Sequence, residues 1–369
     1  MPTEMNIRIA LVGLNFGANW VSVYQEHPNV EYIALCDTNQ ALLDRVADKH
    51  RIERRYTRLE SILESDDYDA VHLLTPIPLH AEQTISVLSS NKHCACAIPM
   101  AVSIDDIRSI VDAQSKSGKN YMLMETEVYS PSFLLAKRLY DEGEFGELQF
   151  LRGVHYQNME GWPDYWMGLP PMYYCYHGLG PILYLADKMV TNALCLGSGV
   201  IPEEMQRNYG NPFPIESALL QLEDSNVVCE VTCCLFKMVR DFRVDRFYIY
   251  GDRLGFESSQ LKGEQPVIYE TEHGALKPGQ RGRGVTQWEV EVPDVSDYVT
   301  DEFAEYARKA HFKRGALIAH EFIRSIVEER PPSIDVFKSA NWTAAGLCAH
   351  DSAMREGEKI EIPKFDKEV

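Results

Sequence analysis

The sequence predicts an α/β chain of two domains: an N-terminal domain built on a parallel sheet, and a C-terminal α+β domain built on an open, largely antiparallel sheet. Three observations carry that prediction. Short apolar, β-branched runs alternate with amphipathic stretches up to about residue 125. A glycine-bearing turn follows the first of those runs. Beyond residue 127, strand-like runs succeed one another with few helices between them. A length of 369 residues accommodates two cores, and 45% hydrophobic with 25% charged residues is ordinary globular composition.

Residues 7–12 read as the first strand and 20–25 as part of the first helix. Residues 32–36 form the next strand and 40–50 the next helix. A strand at 70–74, a helix at about 79–90, a strand at 93–97, a helix at 104–117 and a strand at 121–124 complete the alternation. Such strands are apolar along their length because helices cover both faces of the sheet. The rhythm then changes. Residues 131–142 read as a helix, 149–156 as a strand, and 159–174 as a loop rich in Trp, Pro and Tyr. A helix follows at 177–186, with strands at 218–222, 227–235 and 246–250. The stretch 264–284 is polar and bears Gly and Pro, so it is expected to be an exposed loop. Helices at 316–328 and 340–354 close the chain. The expected domains are 1–127 and 128–369.

The formal net charge of −19, with no Lys/Arg-rich block, argues against nucleic-acid binding, because phosphate backbones would be repelled. No run approaches the ~18 apolar residues of a membrane span. Residues 1–6 lack the basic flank and apolar core of a secretory leader, so a cytoplasmic protein is expected. Nine cysteines fit that compartment as reduced, mostly buried thiols. Cys94 and Cys96 are spaced C-x-C, Cys233 and Cys234 are adjacent, and no ligand-spacing motif links the histidines, so no metal is expected.

The turn after the first strand reads Val12-Gly13-Leu14-Asn15-Phe16-Gly17-Ala18. In the dinucleotide-binding pattern G-x-G-x-x-G/A, Gly13 supplies the tight turn and Ala18 the close helix–strand packing. Asn15 occupies the middle position; asparagine tolerates left-handed backbone angles better than most residues. Gly17 lets the turn approach phosphate closely. The second strand ends at Asp37, 24 residues after Gly13. A carboxylate there accepts hydrogen bonds from ribose hydroxyls and repels a 2′-phosphate, which favours NAD over NADP. The alternative is a plain strand–turn–helix with Asp37 capping the next helix. The dinucleotide reading makes the first domain a Rossmann domain.

Leu73-Leu74-Thr75-Pro76-Ile77-Pro78-Leu79-His80 resembles the T-P-x-x-x-H stretch of the Gfo/Idh/MocA family, which includes glucose–fructose oxidoreductase and inositol dehydrogenase. Asn91-Lys92-His93 followed by Ala97-Ile98-Pro99 is similar to that family's G-K-H…E-K-P stretch. Gly143-Glu144-Phe145-Gly146-Glu147 and the stretch from His320 to Pro332 are similar to later family segments, so the resemblance spans nearly the whole chain. It implies a second domain whose sheet often packs in oligomers, a homo-oligomer of two or four copies, and a carbohydrate or cyclitol substrate. It also places Thr75, Pro76 and His80 near the nicotinamide. Two departures stand out. Ile98 replaces the family lysine that contacts the reacting hydroxyl, and Tyr173 replaces the aspartate of the D-x-x-x-H motif whose histidine is His177.

Oxidising an alcohol needs a base for the hydroxyl proton, and histidine is the natural one near neutral pH. His177 is the leading candidate, with helix capping as its alternative. Tyr173 lies one helical turn away as a hydrogen-bond donor or relay. Glu125 and Glu127 follow the last parallel strand at its carboxyl end, where open α/β sheets bind ligands; Glu125 is a candidate base and Glu127 a candidate substrate contact. His155 shares a strand face with Gln157 and is a further substrate contact. Trp162, Tyr165 and Trp166 offer flat faces for sugar C–H surfaces, or else pin their own loop. The expected activity is NAD-dependent hydride transfer at a secondary hydroxyl of a sugar, glycoside or cyclitol. Two alternatives stand beside it: glycoside cleavage by transient oxidation and elimination, and a non-catalytic nucleotide-binding regulator.

Overall fold

β1 (Ile7–Val12) is buried along nearly its whole length, as a strand covered on both faces must be. The structure, a computed structural model, describes residues 6–237, 243–272, 274, 276 and 278–365. Residues 1–5, on which the leader reading rests, lie outside the described residues. β1 is followed by α1 (Leu14–Gly17), α2 (Val21–Gln25), β2 (Val30–Cys36), α3 (Gln40–His50), β3 (Arg55–Tyr56) and α4 (Glu60–Leu63). Then come β4 (Ala70–Leu73), α5 (His80–Ser89), β5 (His93–Cys96), α6 (Ile104–Ser117) and β6 (Tyr121–Leu123). The six strands pair in parallel in the order β3-β2-β1-β4-β5-β6. The strand order therefore reverses between β1 and β4, and the crevice at the carboxyl ends of such a pair is where open α/β sheets take ligands. The helices stop where their caps dictate: Ser103 accepts from the Asp106 N–H at the start of α6, and Gly118 takes left-handed angles at its end.

The second part of the chain holds α7 (Pro131–Asp141), β7 (Leu148–Gln157), α8 (Tyr176–Ala186), β8 (Val190–Ser198), α9 (Glu203–Gln206), β9 (Ile215–Leu222) and β10 (Val228–Cys234). β11 (Arg243–Gly251), β12 (Leu254–Glu257), β13 (Val267–Thr271) and β14 (Val285–Glu289) follow. α10 (Asp301–Lys309), α11 (Lys313–Val327), α12 (Val336–Met354) and β15 (Ile360–Glu361) end the chain. Among the described residues nine strands form one sheet in the order β14-β13-β12-β11-β7-β10-β9-β8-β15, antiparallel except for the β7–β10 pair.

The structure departs from the expected division at residue 127. One compact unit comprises 1–129, 295–347 and 363–369; the other comprises 130–294 and 348–362. The chain returns because α10 and α11 bury their apolar faces in the first core: Tyr306, Ala316, Phe322 and Ile323 share one cluster with Ile9, Leu11, Trp20 and Tyr24. Periodicity reveals that a helix has an apolar face, not which core that face covers. A second correction concerns 264–284, expected as a loop. β13 runs inside it and pairs with β12 and β14. β14 is exposed at every residue, so it carries no alternation for a sequence reading to find.

In the second unit α8 lies directly on β7. A Cβ on Gly153 would stand 2.1 Å from the Gly178 carbonyl oxygen, and a Cβ on Gly178 would stand 2.9 Å from the Val154 nitrogen. Two facing glycines thus let helix backbone touch strand backbone. No helix of the described residues is long and apolar enough to cross a membrane.

Candidate active site

In the first unit, Gly13 takes φ +92, an angle L side chains rarely adopt, and a Cβ there would stand 2.6 Å from the Leu74 carbonyl oxygen. Glycine is therefore required by both conformation and the close approach of the turns after β1 and β4. Asn15 and Phe16 project from this turn into solvent, while Gly17 is buried against Leu74. Asp37, at the end of β2, accepts from the Leu14 N–H at 2.7 Å and the Asn39 N–H at 2.8 Å. Its carboxylate joins the two turns and keeps lone pairs for further donors. A glycine turn at the switch point that exposes Asn15 and Phe16, with a carboxylate 24 residues after Gly13, fits a dinucleotide with a free ribose 2′-hydroxyl.

His80 stands behind the same edge. Its Nδ1 lies 2.7 Å from the Pro99 carbonyl oxygen and its Nε2 lies 2.8 Å from that of Thr75. Carbonyl oxygens only accept, so both ring nitrogens must carry hydrogen and the ring is an imidazolium. Burial alone would lower its pKa. The Cys96 sulfur and the two carbonyls outweigh burial and raise the pKa to about 9. His80 is 1% exposed, so it clamps two loops rather than presenting a face to a ligand. The Thr75 hydroxyl is committed to Gln83 at 2.6 Å, and Ile98 is buried.

Glu125 and Glu127 lie beyond the end of the last parallel strand. β6 ends at Leu123, and residues 126–129 form a 3-10 turn. Glu125 is fully buried and accepts from the Glu127 N–H at 2.7 Å; Glu127 pairs with Arg314. Burial lowers the Arg314 pKa, and the Glu125 charge opposes that shift.

In the second unit an array of rings lies on one face of β7. Trp162 meets Trp166 edge-on at 5.3 Å between centroids, and Tyr165 leans on Trp166 at 5.7 Å. Trp166 meets Tyr174 at 4.8 Å, Tyr174 meets His177 at 5.5 Å, and His177 meets His155 at 4.9 Å. The Gly153–Gly178 contact sets this spacing, because it lowers the first turn of α8, with His177, onto β7. Beyond His155 the array continues as charge. His155 Nδ1 lies 2.6 Å from Asp245 Oδ1, and the Arg243 Nε–H donates to Asp245 Oδ2 at 2.6 Å. Asp245 is directly opposite His155 in the β7–β11 ladder, and Arg243 is opposite Gln157. Burial lowers the His155 pKa against the pull of Asp245. For Asp245, burial works upward, but the hydrogen bond from His155 and the charges of His155, His177 and Arg243 hold it well below the usual carboxylate range.

The structure thus brings together five of the residues expected at the site: His155, Trp162, Tyr165, Trp166 and His177. Tyr173 stands elsewhere in the unit, edge-on to His350 at 5.3 Å, and burial raises its phenol pKa. His350 pairs with the buried Glu216 at 2.6 Å, and Glu216 also accepts from the Met172 N–H at 2.8 Å. That carboxylate anchors the end of the aromatic loop. The other end is braced by Tyr209, whose hydroxyl donates to the Tyr165 carbonyl at 2.7 Å, and by Arg207 paired with Asp164. Sequence reasoning missed Tyr174, Asp245 and Arg243. The i, i+3 spacing of Tyr174 and His177 was a usable signal once a helix begins at Tyr176. The cross-strand partners required the β7–β11 register, which no local pattern reveals.

Residues 7–125 match the model of an oxidoreductase family with an NAD-binding Rossmann fold. A protein of Shewanella sp. (strain W3-18-1) named a glycosyl hydrolase family 109 protein is 30% identical over 399 residues, covering 98% of this chain and 85% of that protein. Its namesake in Shewanella baltica (strain OS155) is 30% identical over 198 residues, a match that covers 48% of this chain and less than half, 43%, of that relative. Among solved structures, levoglucosan dehydrogenase in complex with NADH and levoglucosan superposes with a TM-score of 0.78 at 18% identity, over 98% of this chain and 100% of that one. The chain belongs to the Gfo/Idh/MocA oxidoreductase family.

Proposed function

We propose that this chain is an NAD-dependent oxidoreductase acting at a secondary hydroxyl of a sugar, glycoside or cyclitol. The observation that carries the reading is the unbroken array from Trp162 to His155, in a chain whose first unit presents Gly13 and Asp37 as a dinucleotide site would. NAD, when bound, supplies the acceptor for the hydride of the alcohol carbon. The turn at Gly13, Asn15, Phe16 and Gly17 holds its phosphates, Asp37 its ribose hydroxyls, and Thr75 and Pro76 border its nicotinamide end. His80 keeps that last loop in place. Trp162, Tyr165 and Trp166 pack against the C–H face of the ring. His177 meets the reacting hydroxyl, which requires a nitrogen within about 3 Å of that oxygen in the complex. Glu125 and Glu127, tied to Arg314, hold the chain at the end of β6. The test is absorbance of NADH during incubation with NAD and a panel of polyols and glycosides. Absence of both NADH formation and bond cleavage across the panel sinks the reading.

A second reading is favoured by one observation, the 30% identity across nearly the whole chain to a protein named for glycoside hydrolysis. There the same oxidation acidifies a neighbouring C–H bond, elimination expels the aglycone, water adds to the double bond so formed, and the hydride returns. Release of nitrophenol from nitrophenyl glycosides with catalytic NAD and no accumulated NADH would select this reading over net dehydrogenation.

The nine free, buried thiols support a cytoplasmic protein. A homo-oligomer of two or four copies is supported by Leu194 and Leu219, an exposed cross-strand pair on β8 and β9, with Leu196 beside them. Light scattering behind size exclusion that reports a monomer overturns this last reading.

A further inference from the structure

His155 carries a feature that substrate contact alone does not explain. It is fully buried, yet its Nε2 has no hydrogen-bonding partner among the described residues. A buried acceptor left unpaired costs about 1–3 kcal/mol, so such atoms call for an explanation. Its other nitrogen is held hard: Asp245 Oδ1 lies 2.6 Å from Nδ1, and Arg243 occupies the second oxygen of Asp245 at 2.6 Å. An ionised carboxylate only accepts, so Nδ1 must carry the hydrogen. The lone pair is thereby fixed on Nε2, in a ring whose centroid is 4.9 Å from that of His177. Both rings stand at nearly the same distance from Tyr174, 5.6 and 5.5 Å, but His155 is fully enclosed whereas His177 keeps 6% exposure, so His177 is the ring placed to meet a substrate.

We propose that His155 is the inner member of a two-histidine proton relay, with Asp245 and Arg243 as its positioning residues; the proposal rests on the oxidoreductase reading above. As the alcohol becomes a carbonyl, its O–H bond breaks and the proton goes to the ring nitrogen of His177 that faces it. His177 gives up a proton from its other nitrogen to Nε2 of His155. The electron pair of the C–H bond leaves to the oxidised dinucleotide that this reaction consumes. His177 ends as it began, and the positive charge rests on His155 against the Asp245 carboxylate. In the reverse direction each transfer runs backwards. Hydrogen bonds of this kind are often long without substrate and shorten when it binds.

The test joins a spectroscopic signature to kinetics. Long-range nitrogen–proton NMR on the intact protein should show His155 as the Nδ1–H tautomer, with that proton far downfield, and Asp245→Asn should abolish the downfield signal. In His155→Phe, kcat should fall by about 10²-fold or more, while KM and the NADH dissociation constant stay within about twofold, because His155 touches neither ligand. Asp245→Asn should lower kcat in the same direction and serves if His155→Phe does not fold. An Nε2–H tautomer in the wild-type protein overturns the relay. So does a kcat within twofold of wild type in both variants, or a loss confined to KM. If the wild-type protein turns over no polyol or glycoside, the oxidoreductase reading falls, and the tautomer still decides whether the pair is set as described.

Discussion

His80 in the first unit and His155 in the second are enclosed to nearly the same degree, 1% and 0% exposed, yet their surroundings treat the ring in opposite ways. Around His80 both nitrogens face backbone carbonyls, which leaves the cation as the one form that satisfies both contacts. Around His155 one nitrogen faces a carboxylate and the other makes no hydrogen bond among the described residues. Burial pushes both toward neutrality. At His80 the Cys96 sulfur and the carbonyl acceptors on two sides reverse that push, and at His155 the single carboxylate does not. The chemistry of the neighbours, rather than depth, separates a histidine that clamps from one able to exchange a proton. The first unit uses its histidine as a fastener between two loops, and the second, in the proposed reaction, keeps its pair for acid–base work.

The largest effect is expected at His177. His177→Ala should lower turnover by about 10²- to 10⁴-fold with NADH affinity unchanged, measured by steady-state kinetics and fluorescence titration. A near-normal rate would move the acid–base role to Tyr174 or Glu125 and remove the contrast between the units. The next effect is at His80. Its folded pKa of about 9 lies above the unfolded value near 6.5, so the stability it contributes is full below about pH 6.5 and is lost as pH rises through about 9. The shift corresponds to about 3 kcal/mol. Denaturant unfolding of the first unit should therefore weaken between pH 7 and 10, and His80→Leu should be less stable at pH 7 with a flatter profile. An unchanged profile in that variant would show that the ring is not charged.

How far each unit could be read in advance follows the same line. The first unit repeats a pattern whose constraints are local: Gly13 must take a positive φ, Asp37 must end β2, and apolar strands must alternate with helices. The ring array is local too where it rests on one loop, so Trp162, Trp166 and His177 were legible. Asp245 was not, because its place opposite His155 depends on how β7 and β11 pair across about ninety residues. Nor was the return of α10 and α11 to the first core, for the same reason: long-range pairing leaves no periodic trace.

Two smaller effects sharpen the contrast. Asp37→Ala should weaken NADH binding by about tenfold and narrow the preference over NADPH, as one charge-assisted hydrogen bond of about 1.5 kcal/mol implies. Calorimetry with both cofactors reads it, and an unchanged ratio would detach Asp37 from the ribose. Ile98→Lys should change turnover by no more than about twofold. If proton handling belongs to the histidines of the second unit, a lysine in the first adds nothing; a gain of more than about tenfold would mean that the lysine chemistry had only been lost.

The return of the chain to its first core bears on the order in which the protein is made. The surface that Tyr306, Ala316, Phe322 and Ile323 cover is synthesised within the first 129 residues, whereas its cover ends at residue 327, roughly 200 residues later. At ~5–20 residues per second the ribosome takes about 10–40 s to deliver it. For that interval Ile9, Leu11, Trp20 and Tyr24 form an unfinished apolar surface on a nascent chain, while residues 130–294 of the second unit are being made. A chain arrested on the ribosome before residue 300 should accordingly be cut by protease within its first 129 residues, and one arrested after residue 360 should resist.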